Sequence, residues 1–96
     1  MTLAEERIGK IRKYLENRFH ITHLQIVDDG HKHHGHSTAN GGGHFTVQIV
    51  ADEFSGKSLV QRHQMVYTTL TTLMENDIHA LSIKAYDPNE FKSRGN

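Results

Sequence analysis

No cysteine occurs anywhere in the 96 residues. That excludes a disulfide scaffold, a thiolate zinc finger and any iron–sulfur cluster held by the chain's own thiols. Tryptophan is also absent, aromatic residues make up 7%, and there is a single proline. Neither sign of charge prevails: 11 Lys and Arg balance 11 Asp and Glu, so the formal net charge is zero. A chain so balanced is no polyanion-coating protein, and with 35% hydrophobic residues it is too apolar for a disordered tail. No apolar run approaches the roughly 20 residues that a membrane helix needs. The start, Met1-Thr2-Leu3-Ala4-Glu5-Glu6, is acidic and amphipathic rather than a signal peptide. A cytoplasmic location without a membrane partner is therefore expected. Length argues for one domain over residues 1–96, burying about 65% of the surface its extended chain would expose.

What the chain has in excess is histidine, with nine. Four of them, His31, His33, His34 and His36, crowd into Asp28–Gly43, a stretch with five glycines and no apolar pattern. Connections of that length are usually functional or disordered. On either side of it periodicity is clear. Thr2 and Glu5 have capping-box spacing, and Ile8, Ile11, Leu15 and Phe19 mark one buried helical stripe, with a Glu6–Lys10 pair on the surface. Leu24 to Val27 reads as a short strand with Leu24 and Ile26 inward. His44 to Val50 alternates as a second strand, with Phe45, Val47 and Ile49 on one side. A turn around Gly56 follows. Leu59, His63, Val66, Leu70 and Leu73 then form a helical stripe, with Val60, Tyr67 and Met74 beside it, in one helix or two broken near Arg62. Ile78 to Tyr86 is a third strand. Asp87, Pro88 and Glu90 supply the N-cap, first position and third position of a short last helix carrying Phe91.

The order is α-β-β-α-(α)-β-α. Adjacent strands form an antiparallel hairpin, and a crossover helix returns the third strand parallel to the second with right-handed connection. The expected fold is an α+β sandwich, a three-stranded mixed sheet with helices on one face. This topology has a chemical consequence. The second and third strands begin at the same end of the sheet, so His44 and His79 open neighbouring strands where the histidine-rich loop also arrives. Imidazoles 35 to 48 positions from His79 in the chain meet it at one rim. Imidazole suits Zn²⁺, Cu²⁺ and Ni²⁺ and can terminate iron–sulfur clusters. The candidate ligands are His79, His33, His34, His36 and His44, and a divalent metal is one group they could hold. The plain alternative is that the loop histidines are solvated and His79 is a hydrogen-bonded structural residue. His63, on the apolar stripe, reads as a hydrogen-bonded core histidine. His20 and His23 flank the first turn and need no function.

The segments His44-Phe45-Thr46-Val47-Gln48-Ile49-Val50, Phe54-Ser55-Gly56-Lys57-Ser58, Gln61-Arg62-His63-Gln64-Met65-Val66-Tyr67 and Ile78-His79-Ala80-Leu81-Ser82-Ile83 together resemble the BolA family, over about Ile8 to Phe91. The resemblance implies a class II KH-like fold and a monothiol glutaredoxin as partner. It further implies a [2Fe–2S] cluster shared with the glutaredoxin cysteine and a glutathione thiolate. His79 matches the family's histidine ligand. A second ligand, Cys or His, comes from the loop between the first two strands. Without cysteine it falls to a histidine, and His33 is the closest match by its distance from Val27-Asp28, with His34 and His36 as substitutes. Histidine in place of thiolate raises the cluster potential and makes that ligand protonatable.

The family is also described as DNA-binding transcriptional regulators of stress, morphology and biofilm genes. KH-like folds clamp the nucleic-acid backbone with a Gly-x-x-Gly loop. No such tetrapeptide lies between helices here, and Gly56-Lys57-Ser58-Leu59 is the nearest sequence. Lys57, Arg62 and Lys84 are the candidate basic patch, and zero net charge opposes strong phosphate-driven affinity. No nucleophile motif or carboxylate pair stands out, so the chain is expected not to be an enzyme. Alone it is expected to be a monomer or weak homodimer.

Overall fold

In the computed structural model of the protein, which describes residues 2–30 and 42–94, the first element is helix α1, Leu3–Arg18. Thr2 starts it. The Glu5 backbone N–H donates to the Thr2 hydroxyl while the Thr2 N–H donates to the Glu5 carboxylate, which satisfies two otherwise open donors. Ile11, Leu15 and Phe19 are buried on its inner stripe, with Ile8 packed against them. Lys10 departs from the expected local pair and reaches Asp77, 3.5 Å away.

Three strands follow: β1 (Ile21–Asp28), β2 (Gly43–Ala51) and β3 (Ile78–Tyr86), side by side in that order. β1 pairs antiparallel with β2 from Ile21↔Ala51 to Asp28↔Phe45, and this pairing draws β1 out beyond the four residues its own pattern suggests. β2 pairs parallel with β3. Alternation then sorts the faces. Phe45, Val47 and Ile49 are buried, with Leu24 and Ile26 beside them from β1 and Leu81, Ile83 and Ala85 from β3. This face packs against α1 and against α2 (Leu59–Thr69). Phe19 and Phe54 seal one end with ring centroids 5.1 Å apart. No helix among the described residues is long and apolar enough to cross a membrane.

The inner stripe of α2 is rotated from the expected one. Leu59 and Val60 are 65% and 66% exposed, whereas Arg62 and Val66 are buried and continue into Leu70 and Leu73. The cause is the guanidinium. Arg62 Nε donates to Lys57 O (3.0 Å), Nη1 to Ala85 O (3.1 Å), and Nη1 and Nη2 to the two Glu90 oxygens (2.6 and 3.2 Å). A charge with that many acceptors can lie inside, although an apolar pattern assigns it to the surface. His63 is thereby turned to a half-buried position, with no hydrogen bond among the described residues, and is not the bonded core histidine its spacing suggested. The helix does not break at Arg62. It ends at Leu70 and passes through a 3-10 turn at Leu73–Glu75.

The last helix, α3 (Pro88–Ser93), starts at the Asp87 cap. Its Phe91 stacks on His23 at 4.9 Å, and His23 shares its face with Gln48 and Val50, away from α1 and α2. So α1 and α2 hold one face, and α3 wraps round the sheet to cover a corner of the other. Arg62→Ala is expected to lower stability by about 3 kcal/mol in urea unfolding, because two carbonyls and a carboxylate lose their donor. Arg62→Lys should recover less than half, since an ammonium lacks the fork. The Arg62 hydrogen bond, then the Asp87 N–H, hold the Glu90 carboxyl below the usual range. Its contribution is present above the unfolded value and lost as pH falls through the folded one, so the gap between wild type and Arg62→Ala should narrow in acid.

Candidate functional site

Parallel pairing starts β2 and β3 at one rim, with Gly43 opposite Ile78 and His44 opposite Ala80. The register shifts by one residue between those pairs, and His79 is the residue left over. It is exposed, and its ring centroid lies 5.2 Å from that of half-buried His44, with the planes at 33°. Gly42 brings the preceding connection onto this rim. Its φ is +75°, and a Cβ there would sit 3.0 Å from His79 N, 3.1 Å from the Ile78 carbonyl carbon and 3.2 Å from Asn76 O. Only glycine allows both that dihedral and that approach. A Cβ on Gly43 would come 2.7 Å from the Phe45 ring.

Hydrogen bonds and ion pairs fix the rim on both sides. Gly43 N–H donates to Asp77 O (3.1 Å), and Asp29 N–H donates to His44 O (2.8 Å). The Thr46 hydroxyl donates to the Asp29 carboxylate at 2.5 Å. Asp77 lies 3.6 Å from Arg7 Nε and 3.5 Å from Lys10 Nζ, and Arg7 also donates to Asn76 O (3.4 Å). Helix α1 therefore clamps the turn that delivers His79. Neither Gly42 nor the Arg7–Asp77 contact was legible as part of the site. The Gly41-Gly42-Gly43 run was the only signal for the first. The second joins positions 70 residues apart and leaves no local trace.

Two neutral imidazoles this close can turn ring nitrogens toward one borderline ion. Two donors do not complete a tetrahedral shell, and among the described residues no group of three or more His, Asp or Glu could hold a metal. His31, His33, His34 and His36 lie outside the described residues. The segment that carries them departs after Gly30, whose N–H donates to the Asp28 carboxylate, and returns at Gly42 on the rim.

The three expected cations do not combine into one patch. Arg62 is 5% exposed and fully engaged within the fold. Lys57 lines a cavity of about 330 Å³ with Arg18, Gln61 and Gln64, on the α1–α2 side. Lys84 pairs with Gln48 and belongs to the opposite face. The patch was drawn from residue type alone: burial removes Arg62, and alternation along β3 sends Lys84 to the other face.

His20 and His23 serve the fold. His23 Nε2 lies 3.0 Å from Gln48 Oε1 beneath Phe91. His20 gives its backbone N–H to both Glu53 oxygens (2.9 and 3.1 Å), and its Nδ1 lies 2.6 Å from Glu53 Oε2. That hydrogen bond and the Glu53 charge raise the His20 pKa above its ordinary value. Burial would push the Glu53 carboxyl up, but the His20 N–H and ring outweigh it and hold it low.

An α-β-β-α-β-α chain with a mixed sheet, two helices on one face and an imidazole-bearing rim is a small α+β sandwich of the BolA type. The BolA-like protein family model matches residues 15–90, and the chain belongs to that family. It is similar to "SufE-like protein 1, chloroplastic/mitochondrial" of Arabidopsis thaliana, 38% identical over 84% of this chain but only 24% of that much longer protein. It is also similar to the "DNA-binding transcriptional regulator BolA" of Escherichia coli (strain K12), 31% identical over 86% of this chain and 77% of that protein. Among solved structures, the BolA domain of SufE1 from Arabidopsis thaliana superposes with a TM-score of 0.75 at 39% identity, covering 85% of this chain and 92% of that one.

Gly42→Ala should cost about 2–4 kcal/mol in urea unfolding and shift the His44 and His79 ring resonances, because both dihedral strain and backbone contact oppose it. Gly56→Ala is the control. It has φ +77° but open space around it, and should cost only about 1 kcal/mol. Glu53→Gln should bring the His20 NMR titration back toward the ordinary imidazole value. His20 contributes fully below its unfolded pKa and loses that contribution as pH rises through its folded one. Glu53 contributes above its unfolded pKa and loses it as pH falls through its folded one. The pair is thus strongest in mildly acidic solution, between those limits.

Proposed function

We propose that the protein is a non-catalytic adaptor that pairs with a monothiol glutaredoxin and helps bind or transfer a [2Fe–2S] cluster, in iron–sulfur or iron homeostasis. His79 is one ligand. A loop histidine, His33 in preference to His34 or His36, is the second from this chain, and the glutaredoxin cysteine and a glutathione thiolate complete the set. The observation that carries this reading is the 5.2 Å approach of His44 and His79 at the rim where the histidine-rich connection returns. Imidazole is a competent terminal ligand for such a cluster, as in centres where two histidines replace two cysteines. Exposure of His79 leaves room for a partner's donors across the cluster.

A second reading, a DNA-binding transcriptional regulator, is favoured by the similarity to the Escherichia coli DNA-binding transcriptional regulator BolA. Zero net charge and the separation of Lys57, Arg62 and Lys84 weigh against it. The two readings separate in solution. Anaerobic co-reconstitution with a monothiol glutaredoxin and glutathione should give a brown heterodimer, and His79→Ala should change its visible circular dichroism and speed cluster loss. Binding should weaken in acid as the imidazoles protonate. An unchanged spectrum in His79→Ala removes that residue from the ligand set. Sequence-preferring retardation of promoter DNA at about 0.15 M salt, surviving competitor, would favour the regulator instead.

A further inference from the structure

Most arginines near a cavity of this molecule have a carboxylate partner. Arg7 and Lys10 share Asp77, Arg12 has Glu16 and Arg62 has Glu90. Lys10 and Lys13 line one cavity together, but Glu75 and Asp77 line it too, so its charge is balanced within its own walls. The cleft between the end of α1 and the start of α2 differs. Arg18 and Lys57 line it, neither has an ion pair among the described residues, and no carboxylate lines it. Both cations are placed by the core. The Arg18 guanidinium lies over the Phe19 ring, 5.0 Å from its centroid, and Phe19 packs on Phe54 at 5.1 Å. Lys57 N–H donates to Phe54 O (3.1 Å), while Lys57 O accepts from the buried Arg62 Nε (3.0 Å). The Phe19–Phe54 pair therefore holds one cation on each side of the cleft. Lys57 also precedes the N-cap of α2, where the helix dipole opposes a cation, and α2 has no acid in its first turn to offset it. Gln61, Gln64 and Thr68 complete the wall, three and four residues apart on one face of α2, with Met65 between them. The Gln61 amide has a set orientation: its Oε1 accepts from Ser58 N–H (2.8 Å), which leaves the amide N–H groups to donate elsewhere.

We infer that this cleft binds the terminal phosphate of a small phosphorylated polyol, with Arg18 and Lys57 as the charged grips. Two cations held in one cleft without a carboxylate repel each other, and an anion between them removes that cost. A phosphomonoester carries a charge of about −1.5 to −2 near neutral pH and three strong acceptor oxygens, so one group satisfies both cations and the Gln61 amide. A carboxylate brings half that charge. A phosphodiester also brings less, and its chain continues on both sides, whereas this cleft of about 330 Å³ is at the small end of the range for ligand pockets. Beyond the phosphate, the Gln64 amide and the Thr68 hydroxyl suit hydroxyl groups on the carbon frame, and Met65 supplies an apolar surface. The inference is independent of the cluster reading. Arg18 ends α1 just before β1 pairs Ile21 with Ala51 at the finish of β2, and the His44–His79 rim is where β2 starts.

Amide NMR titration of the full chain with inorganic phosphate and with glycerol phosphate, at about 0.15 M salt, tests it. Glycerol is the control without phosphate, and an oligonucleotide lacking terminal phosphates presents diesters alone. The expected result is saturable shifts at Lys57, Gln61, Gln64 and Thr68, with a Kd for glycerol phosphate of about 1 mM or tighter. Glycerol and the oligonucleotide should bind at least about tenfold more weakly. Arg18→Gln and Lys57→Gln should each weaken glycerol phosphate at least about tenfold. Both side chains are exposed, so neither variant should move the urea midpoint of the unliganded chain, which separates lost binding from lost folding. Lys84→Gln, on the opposite face of the sheet, should bind as the wild type does. Absence of saturable shifts with either phosphate probe overturns the inference. So does binding indifferent to both cleft variants, an equal loss in Lys84→Gln, or an oligonucleotide that binds as tightly as glycerol phosphate.

Discussion

Parallel pairing of β2 with β3 is the constraint on which the rest depends. Two strands can start at one end of a sheet only if the chain between them travels back along its length, and α2 with its following 3-10 turn is that return path. Once the return is made, residues far apart in the chain become neighbours at the starting end. The His44–His79 contact follows from topology first and from side-chain chemistry second. The one-residue irregularity at Gly43/His44 then places His79 outside the regular ladder, where its ring is exposed beside His44 instead of being directed by strict alternation.

A buried guanidinium holds the return path in place. Arg62 joins the start of α2, the end of β3 and the first turn of α3 through Lys57 O, Ala85 O and Glu90. Such a group is costly to bury, and every one of these acceptors is needed to offset the desolvation. Its reward is geometric rather than energetic. A planar fork with fixed donors admits few orientations of α2 relative to β3, so the helix arrives over the sheet in one rotation. Leu59 and Val60 are left outside as a consequence, although their hydropathy alone would put them in.

Much of this was legible from spacing. The caps at Thr2 and Asp87 lie where side-chain chemistry demands them, and β3 spans the residues its alternation marks. The order of elements and the meeting of His44 with His79 follow from handedness and connection rules that need no coordinates. What failed was the phase of α2. Hydropathy periodicity counts Arg as a surface residue, so it placed His63 inside and Arg62 in a solvent patch, and nothing local announces that Ala85 O and Glu90 await that charge. Lys10 failed for a related reason. Glu6 is its neighbour in sequence, but Asp77 meets it through the tertiary fold. Short-range rules see only contacts within about one helical turn.

The backbone of His79 is fixed from several sides. Everything that fixes the backbone of His79 comes from the described core: Asp77 clamped by Arg7 and Lys10, Gly43 bonded to Asp77 O, and Gly42 seated against the His79 amide. None of it uses the His79 imidazole. The backbone of His79 is therefore preorganised, while its exposed ring is held by none of these contacts. The connection between Gly30 and Gly42 is under a different constraint. Its described ends, Gly30 and Gly42, lie at the rim, and Gly42 must remain glycine, because its φ of +75° and the 3.0 Å approach of a Cβ there to His79 N leave no place for a side chain.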